Sequence, residues 1–158
     1  MKRITITGCS LLWAAFLLAQ TVRIVPAPLE MKTTPGQFLL SGKSGISYDP
    51  QSESLKKSVV FLQAYLAKYY TLTCKASGKV VTKNPIRLQE RPVNGKAGQY
   101  EMQVTPTGIL IKGDGEGVFY GVQTLIQLLP ASGKTAPLSV PLVTIRDEPR
   151  FDYRGMHL

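Results

Sequence analysis

The sequence predicts an α+β domain in which a mostly antiparallel sheet carries two amphipathic helices on one face. Two stretches, residues 52–72 and 114–130, repeat apolar side chains at the three- and four-residue spacing of a helix. Short apolar or alternating runs, separated by turn residues, surround them and are typical of hairpins. The resulting order, β-β-α-β-β-β-α-β, favours helices segregated to one face of an antiparallel sheet.

The chain is expected to open with β-structure. Residues 22–28 alternate apolar side chains and contain two prolines, which indicates a short edge strand or an extended lead-in. Residues 37–40 and 45–48 are apolar runs on either side of the turn sequence SGKS, so we expect them to form a hairpin. A β-region therefore precedes the first helix.

The first helix is predicted over about residues 52–72, where an apolar stripe follows a single helical face. Ser52 can cap this helix, and Glu53 lies in its first turn, where the helix dipole favours a carboxylate. Lysine and glutamine side chains take the other faces. The stripe consists of Leu55, Val59, Leu62, Leu66 and Tyr69.

A loop and a hairpin are predicted between the two helices. A polar, lysine-rich loop over residues 73–84 leads into a short strand at 85–89. Residues 99–104, QYEMQV, alternate with the two-residue period of a half-buried strand, and the chain then turns back into the apolar run 109–112. This hairpin delivers the chain to the second helix.

The second helix is predicted between Asp114, its expected N-cap, and Pro130, which ends it. Gly121 costs about 1 kcal/mol relative to alanine inside a helix, so its presence indicates a close approach to another backbone. A further strand over residues 137–145 completes the domain. The apolar stripe of this helix consists of Val118, Val122, Leu125, Ile126 and Leu129.

The first residues are typical of a secretory signal peptide. Lys2 and Arg3 precede an uncharged apolar run over residues 11–19, and Ala19 is the expected residue before the cut. We therefore expect residues 1–19 to be removed. The mature protein is expected to be periplasmic or secreted, without a membrane-spanning segment.

Charge and residue inventory argue against several classes of function. The net charge is +9, but lysines and arginines are scattered along the chain, so no nucleic-acid partner is expected. Cys9 leaves with the signal and Cys74 remains alone, so no internal disulfide can form. Because His157 is the single histidine, the sequence offers no metal-ligand cluster, and no cofactor is expected.

Two long motifs lie near the end of the chain, FYGVQTLIQLLP at residues 119–130 and IRDEPRFDYRGMHL at residues 145–158. Together they resemble the join between the N-terminal domain and the catalytic barrel of glycoside hydrolase family 20, the β-N-acetylhexosaminidases, and the resemblance extends from about Val22 onward. It implies a non-catalytic N-terminal domain over residues 20–148. Residues 149–158 would then be the first strand of a truncated (β/α)8 barrel, because a whole barrel needs about 250 residues.

Asp147 and Glu148 form an acidic pair, but their spacing argues against catalysis. Adjacent residues on an extended chain point to opposite sides, whereas two cooperating carboxyl groups must face the same bond. The resemblance implies that the family's catalytic Asp-Glu pair lies beyond Leu158, so no catalytic residue is expected in this chain. We expect Asp147 and Glu148 to anchor the linker instead.

Arg154 is the residue of this chain expected to bind substrate. It lies in the second motif, where the resemblance implies an arginine that binds hydroxyls of the terminal sugar. A guanidinium carries five donors in a fixed fork, which can grip two neighbouring hydroxyl oxygens. On the residues alone, a structural salt bridge is the alternative. His157 is left open between a core histidine, a group behind the site and no functional role.

The resemblance implies the N-terminal part of a β-N-acetylhexosaminidase that removes terminal N-acetylhexosamine residues from glycans. Catalysis in the family is retaining and substrate-assisted, with the sugar's 2-acetamido oxygen as nucleophile, and the N-terminal domain packs on its own barrel. This chain alone is expected to be inactive. Two alternatives stay open: a family 84-like glycosidase, although Leu158 stands where that family's RG-x-x-E-G-F pattern has its glutamate, and a freestanding secreted carbohydrate-binding module.

Overall fold

The computed structural model describes residues 22–79, 83–91, 96–131 and 135–151, which contain seven strands and two helices. In chain order the elements are β1 (Glu30–Leu40), β2 (Ile46–Ser47), α1 (Glu53–Tyr70), β3 (Ala76–Ser77), β4 (Ile86–Glu90), β5 (Tyr100–Thr105), β6 (Gly108–Gly113), α2 (Gly115–Leu128) and β7 (Leu138–Asp147). All of these strands join one mixed sheet in the order β1-β7-β5-β6-β4-β2-β3.

The sheet has an antiparallel half and a parallel half. β1, β7, β5 and β6 pair antiparallel in that order, whereas β6, β4, β2 and β3 pair parallel. The α+β class is confirmed, but the sheet is mixed, and the sequence does not predict its parallel half. The physical reason for the parallel half is α1, which acts as a crossover helix and so lets β3 and β4 run parallel to β2.

The entry of the chain also differs from the sequence prediction. Residues 22–29 are irregular, and β1 pairs with β7, the last strand of the domain, instead of forming a hairpin with β2. Ser44 N donates to Ser41 O at 2.8 Å and closes a turn after β1. β2 then pairs with β3 and β4. The two-residue β3 lies inside the segment that the sequence predicts as loop.

Both helices begin where the sequence predicts. The Ser52 side chain caps α1 by accepting a hydrogen bond from Leu55 N at 3.2 Å. Asp114 caps α2 in the same way, accepting from Gly117 N at 2.6 Å. α1 packs against α2 and β4, while α2 packs against β4, β5 and β6. The predicted placement of both helices on one face of the sheet is therefore confirmed.

The hydrophobic core lies between the helices and the sheet. A Cβ at Gly121 would lie 2.5 Å from Ile111 Cγ2 and 3.1 Å from the Tyr100 ring. A close approach is found at this glycine, but it is made by side chains of β5 and β6, so the predicted approach to another backbone is wrong. The buried apolar side chains include Phe38, Ile46, Leu55, Leu62, Met102, Ile111, Leu125 and Ile145.

Candidate functional site

Residues 22–29, here called the strap, lie beside the point at which the chain leaves the domain. The exit segment, residues 148–151, follows β7, and Arg150 Nη2 donates to Ala27 O of the strap at 3.5 Å. A groove of about 570 Å³, here called the exit groove, separates the strap, α2 and the exit segment. Its lining includes Ile24, Pro26, Tyr100, Tyr120, Thr124 and Phe151.

α2 holds the strap through the side chain of Gln127. Gln127 Oε1 accepts from Val25 N at 2.9 Å, and Gln127 Nε2 donates to Val25 O at 3.2 Å. The amide thus satisfies both backbone polar groups of one residue. Ile24, the neighbour of Val25, is buried in the core and also attaches the strap to the domain.

The end of β7 holds the strap at its second end. Asp147 Oδ1 accepts from Leu29 N at 3.0 Å. Glu148 turns to a different partner, since its Oε1 lies 2.9 Å from Lys96 Nζ. The two carboxylates therefore bind separate partners, Leu29 and Lys96, where the exit segment begins.

Tyr100 forms the buried floor of the exit groove. Its side chain is 2 % exposed, and its hydroxyl is hydrogen-bonded to Thr124 Oγ1 of α2 at 2.6 Å. Burial raises the pKa of Tyr100 to about 12, and the nearby Asp147 also raises it, while the hydrogen bond to Thr124 acts in the opposite direction. Tyr100 therefore links β5 to α2 as a neutral phenol.

Exposed aromatic side chains cluster on this side of the described domain. Phe151 is 69 % exposed and Tyr120 is 42 % exposed. Between the helices, Phe61 of α1 packs edge-on against Phe119 of α2, with ring centroids 5.4 Å apart, and Phe61 is still 37 % exposed. Clustered exposed apolar side chains mark interaction surfaces. The exit groove and the adjoining outer face of the helices are therefore the candidate functional site.

Tyr100→Phe is expected to lower the free energy of unfolding by about 1–2 kcal/mol, because Thr124 loses its partner in the core. The variant should also respond differently to alkali. An unfolded tyrosine releases its proton near pH 10 and folded Tyr100 only near about 12, so Tyr100 makes the wild type lose stability as the pH rises through this window. Urea unfolding at about pH 8 and about pH 11.5 measures both effects.

The control for this experiment is Tyr120→Phe, since the Tyr120 ring is exposed. It should keep the neutral stability and the full alkaline loss of the wild type. The alkaline loss should be smaller in Tyr100→Phe, because the phenylalanine ring has no proton to release. An alkaline loss of equal size in wild type and Tyr100→Phe would contradict the role given to Tyr100.

Comparison with known proteins shows which protein family the chain matches. The sequence model described as Glycosyl hydrolase family 20, domain 2, matches residues 21–148. The chain belongs to glycoside hydrolase family 20. The resemblance inferred from the two terminal motifs is confirmed, and the family 84 alternative gives way to family 20.

Curated relatives match the chain at moderate identity. Beta-hexosaminidases from Vibrio vulnificus and Porphyromonas gingivalis are 32% and 31% identical to the chain, over 89% and 87% of its length. These relatives are glycoside hydrolases by name. The chain spans 15% and 18% of their own lengths.

Solved family 20 structures have the same fold. The β-N-acetylhexosaminidase from Streptomyces coelicolor A3(2) superimposes with a TM-score of 0.75 at 26% identity, covering 84% of this chain and 28% of that one. The exo β-N-acetylglucosaminidase from Vibrio harveyi gives a TM-score of 0.71 at 23% identity, covering 83% of this chain and 20% of that one. The mixed sheet with two helices is thus a fold found in family 20 enzymes.

Three further residues were singled out in the sequence. Arg154 and His157 lie outside the described residues. Cys74 is buried with its Sγ 3.8 Å from Ser41 O, and burial raises its pKa to about 11, so the thiol is protonated at neutral pH. In the described part of the chain, no group of three or more His, Cys, Asp or Glu side chains could hold a metal ion.

The same described residues contain no helix that is long and apolar enough to cross a membrane.

The exit groove depends on residues that were not predicted as site residues from the sequence, above all Gln127 and Tyr100. A signal for Gln127 exists in the sequence, since this polar side chain borders the apolar stripe of α2 at Ile126. The sequence does not show that its partner is Val25, 102 residues away.

Proposed function

We propose that this family 20 domain is the N-terminal, non-catalytic part of a β-N-acetylhexosaminidase and supports that enzyme's catalytic barrel. The match to the family's domain 2 over residues 21–148 carries the proposal. The names of the relatives support it, as does the small share of their length that the chain spans. We assign the hydrolytic reaction to a barrel that follows the exit segment.

In this proposal the full-length enzyme removes terminal non-reducing N-acetylhexosamine residues from glycans by substrate-assisted, retaining catalysis. The 2-acetamido oxygen of the substrate attacks the anomeric carbon while a carboxylic acid protonates the leaving oxygen. Asp147 and Glu148 are unsuited to this work, because Asp147 holds the Leu29 amide and Glu148 pairs with Lys96. The acid and its neighbouring aspartate are therefore assigned to the barrel.

The barrel packs on the exit groove and on the outer face of α1 and α2. The chain reaches that side of the domain by itself, since Phe151 lies in the wall of the exit groove. The exposed rings of Phe61, Tyr120 and Phe151 supply apolar surface for such an interface. Interfaces between domains of one chain bury surface of this mixed apolar and polar kind.

Arg154 is proposed to bind hydroxyls of the terminal sugar. The first barrel strand would carry it, and the carboxyl ends of barrel strands surround the active site in this architecture. Arg154 follows Phe151 by three residues, a reach of about 10 Å for extended chain. When the barrel packs on the exit groove and fixes the exit segment, Arg154 must lie within that distance of Phe151.

The assignment of the reaction predicts that the 158-residue chain hydrolyses no β-N-acetylglucosaminide, because a general acid must lie within hydrogen-bond reach of the leaving oxygen. The protein expressed from the same gene with its downstream barrel should release the chromophore from a chromogenic N-acetylglucosaminide. Turnover by the short chain that disappears in Glu148→Gln would overturn the assignment. A gene without a downstream barrel would favour the freestanding carbohydrate-binding module.

We also propose that the protein is exported and loses residues 1–19. The motivation is the run of uncharged apolar residues after Lys2 and Arg3. The intact mass of the protein recovered from the periplasm or the medium of its host is expected to correspond to a chain that begins at Gln20. Recovery of a soluble species that still carries Met1 would contradict export by cleavage.

A further inference from the structure

The strap is the first described segment of the chain, and it contacts the exit segment, through which the chain leaves the domain. Its first half is tied to α2 by the paired hydrogen bonds between Gln127 and Val25. Its second half is tied to the end of β7 by the bond from Leu29 N to Asp147, and Arg150 of the exit segment donates to Ala27 between them. The strap therefore bridges three elements that surround the exit groove.

Hydrogen bonds, more than apolar burial, hold the strap in place. Ile24 is buried, but the next residue, Val25, is 78 % exposed, and Pro26, Ala27 and Leu29 are exposed as well. An exposed segment of this kind gains little from the hydrophobic effect, which scales with the apolar area removed from water. The attachment of the strap thus depends on a few named side chains, of which Gln127 makes two of the bonds.

Glutamine at position 127 holds the strap better than glutamate or alanine would. Its amide offers a donor and an acceptor at the end of a long side chain, and both match the backbone of Val25. Glutamate at this position would keep the acceptor but present a carboxylate oxygen to the Val25 carbonyl. Alanine would remove both bonds and leave the fold of α2 intact.

The exit segment has few other supports among the described residues. Pro149 packs on Gly98, where a Cβ would lie 2.9 Å from Pro149 Cγ. Glu148 pairs with Lys96, but at a part-exposed site where such pairs contribute little. Phe151 is largely exposed. The strap therefore adds a direct contact to the exit segment, the hydrogen bond from Arg150 to Ala27.

We propose that Gln127 is a positioning residue: by locking the strap, it sets the direction of the exit segment and so aligns the barrel that follows. This inference rests on the proposed function. It gives the strap, which lies close to the expected site of signal cleavage, a role in orienting the domain relative to the barrel.

The first test is residue-resolved hydrogen exchange, followed by NMR, on the 158-residue chain. In Gln127→Ala we expect the amides of Val25 and Leu29 both to exchange about tenfold faster or more, because the strap opens as a unit. Exchange in β5 and β6 should not change. Gln123→Ala, one turn earlier on α2 and also lining the groove, is the matched control and should leave all of these amides protected.

Two substitutions of Asp147, at the other end of the strap, sharpen the test. Asp147→Asn keeps an acceptor oxygen for Leu29 N, so the strap amides should exchange as slowly as in the wild type. In Asp147→Ala the same amides should exchange faster. Loss of protection at Val25 alone in Gln127→Ala, with Leu29 still protected, would overturn the idea that the strap acts as a unit.

The second test uses the full-length enzyme and separates this inference from the proposed function. Gln127→Ala should widen the distribution of interdomain distances in small-angle X-ray scattering and lower kcat/KM by about threefold or more, while the melting temperature of the barrel stays unchanged. Gln123→Ala should change neither. Absence of hydrolysis by the wild type would defeat the proposed function, and scattering would still decide the positioning role. Identical scattering from wild type and Gln127→Ala would overturn that role.

Discussion

Gly117→Ala is expected to lower the free energy of unfolding by about 3 kcal/mol or more, at the upper end of what overpacking costs. A Cβ at this position would lie 2.1 Å from the carbonyl oxygen of Gln99 and 2.8 Å from its carbonyl carbon. Both are backbone atoms, and Gln99 is buried, so they cannot rotate away. Moving Gly117 instead would break the 2.6 Å bond from its N–H to Asp114 Oδ1 and with it the cap of α2.

Urea unfolding of wild type and Gly117→Ala at neutral pH measures this loss. Gly42→Ala is the matched control, because a Cβ there meets its nearest atom, Thr73 O, at 3.6 Å, an ordinary contact. The two substitutions restrict the unfolded chain to the same extent, so their difference reports the native state. If Gly117→Ala unfolds at the same urea concentration as Gly42→Ala, α2 does not pack on Gln99 as described.

The helices could be predicted from the sequence because their signals are local. The stripe that contains Leu55 and Leu62 spans a few turns, and the caps at Ser52 and Asp114 act within three residues of themselves. Each of these patterns is complete within a short window. The structure accordingly places both helix starts where the sequence predicts them.

The direction of the strands could not be predicted in the same way. β4 alternates buried and exposed residues as an antiparallel strand would, yet it pairs parallel with both β2 and β6. A period of two residues shows that a strand has two different faces, but not which neighbour it has or how that neighbour runs. The pairing is decided by the crossover of α1 and by the core, which bring together residues far apart in the chain.

The exit groove shows the same limit at the level of single side chains. The spacing of Asp147 and Glu148 was enough to argue against a catalytic pair, since that argument needs only adjacent residues. Gln127 and Tyr100 act on partners in other elements, Val25 and Thr124, and no periodicity in the sequence connects them. Sites built from contacts across the whole chain become visible only with the fold.

Arg154→Lys in the full-length enzyme is expected to lower kcat/KM by on the order of 10²-fold, or about 3 kcal/mol. This prediction rests on the proposal that Arg154 binds the terminal sugar. Lysine keeps the charge but loses the planar fork, so paired contacts to two hydroxyl oxygens weaken while the fold survives. If those contacts tighten as the sugar approaches the transition state, kcat falls and KM rises together.

Steady-state kinetics and the melting temperature, measured on one preparation, separate a binding role from a structural one. Arg87→Lys provides the control, because Arg87 is an exposed residue of β4 within the N-terminal domain, and it should change neither quantity. An arginine that serves only in a structural salt bridge would lower the melting temperature and leave the kinetics of the folded enzyme near wild type. A lowered melting temperature with unchanged kcat/KM would therefore remove Arg154 from the sugar site and return it to the alternative of a structural ion pair at the end of the strand.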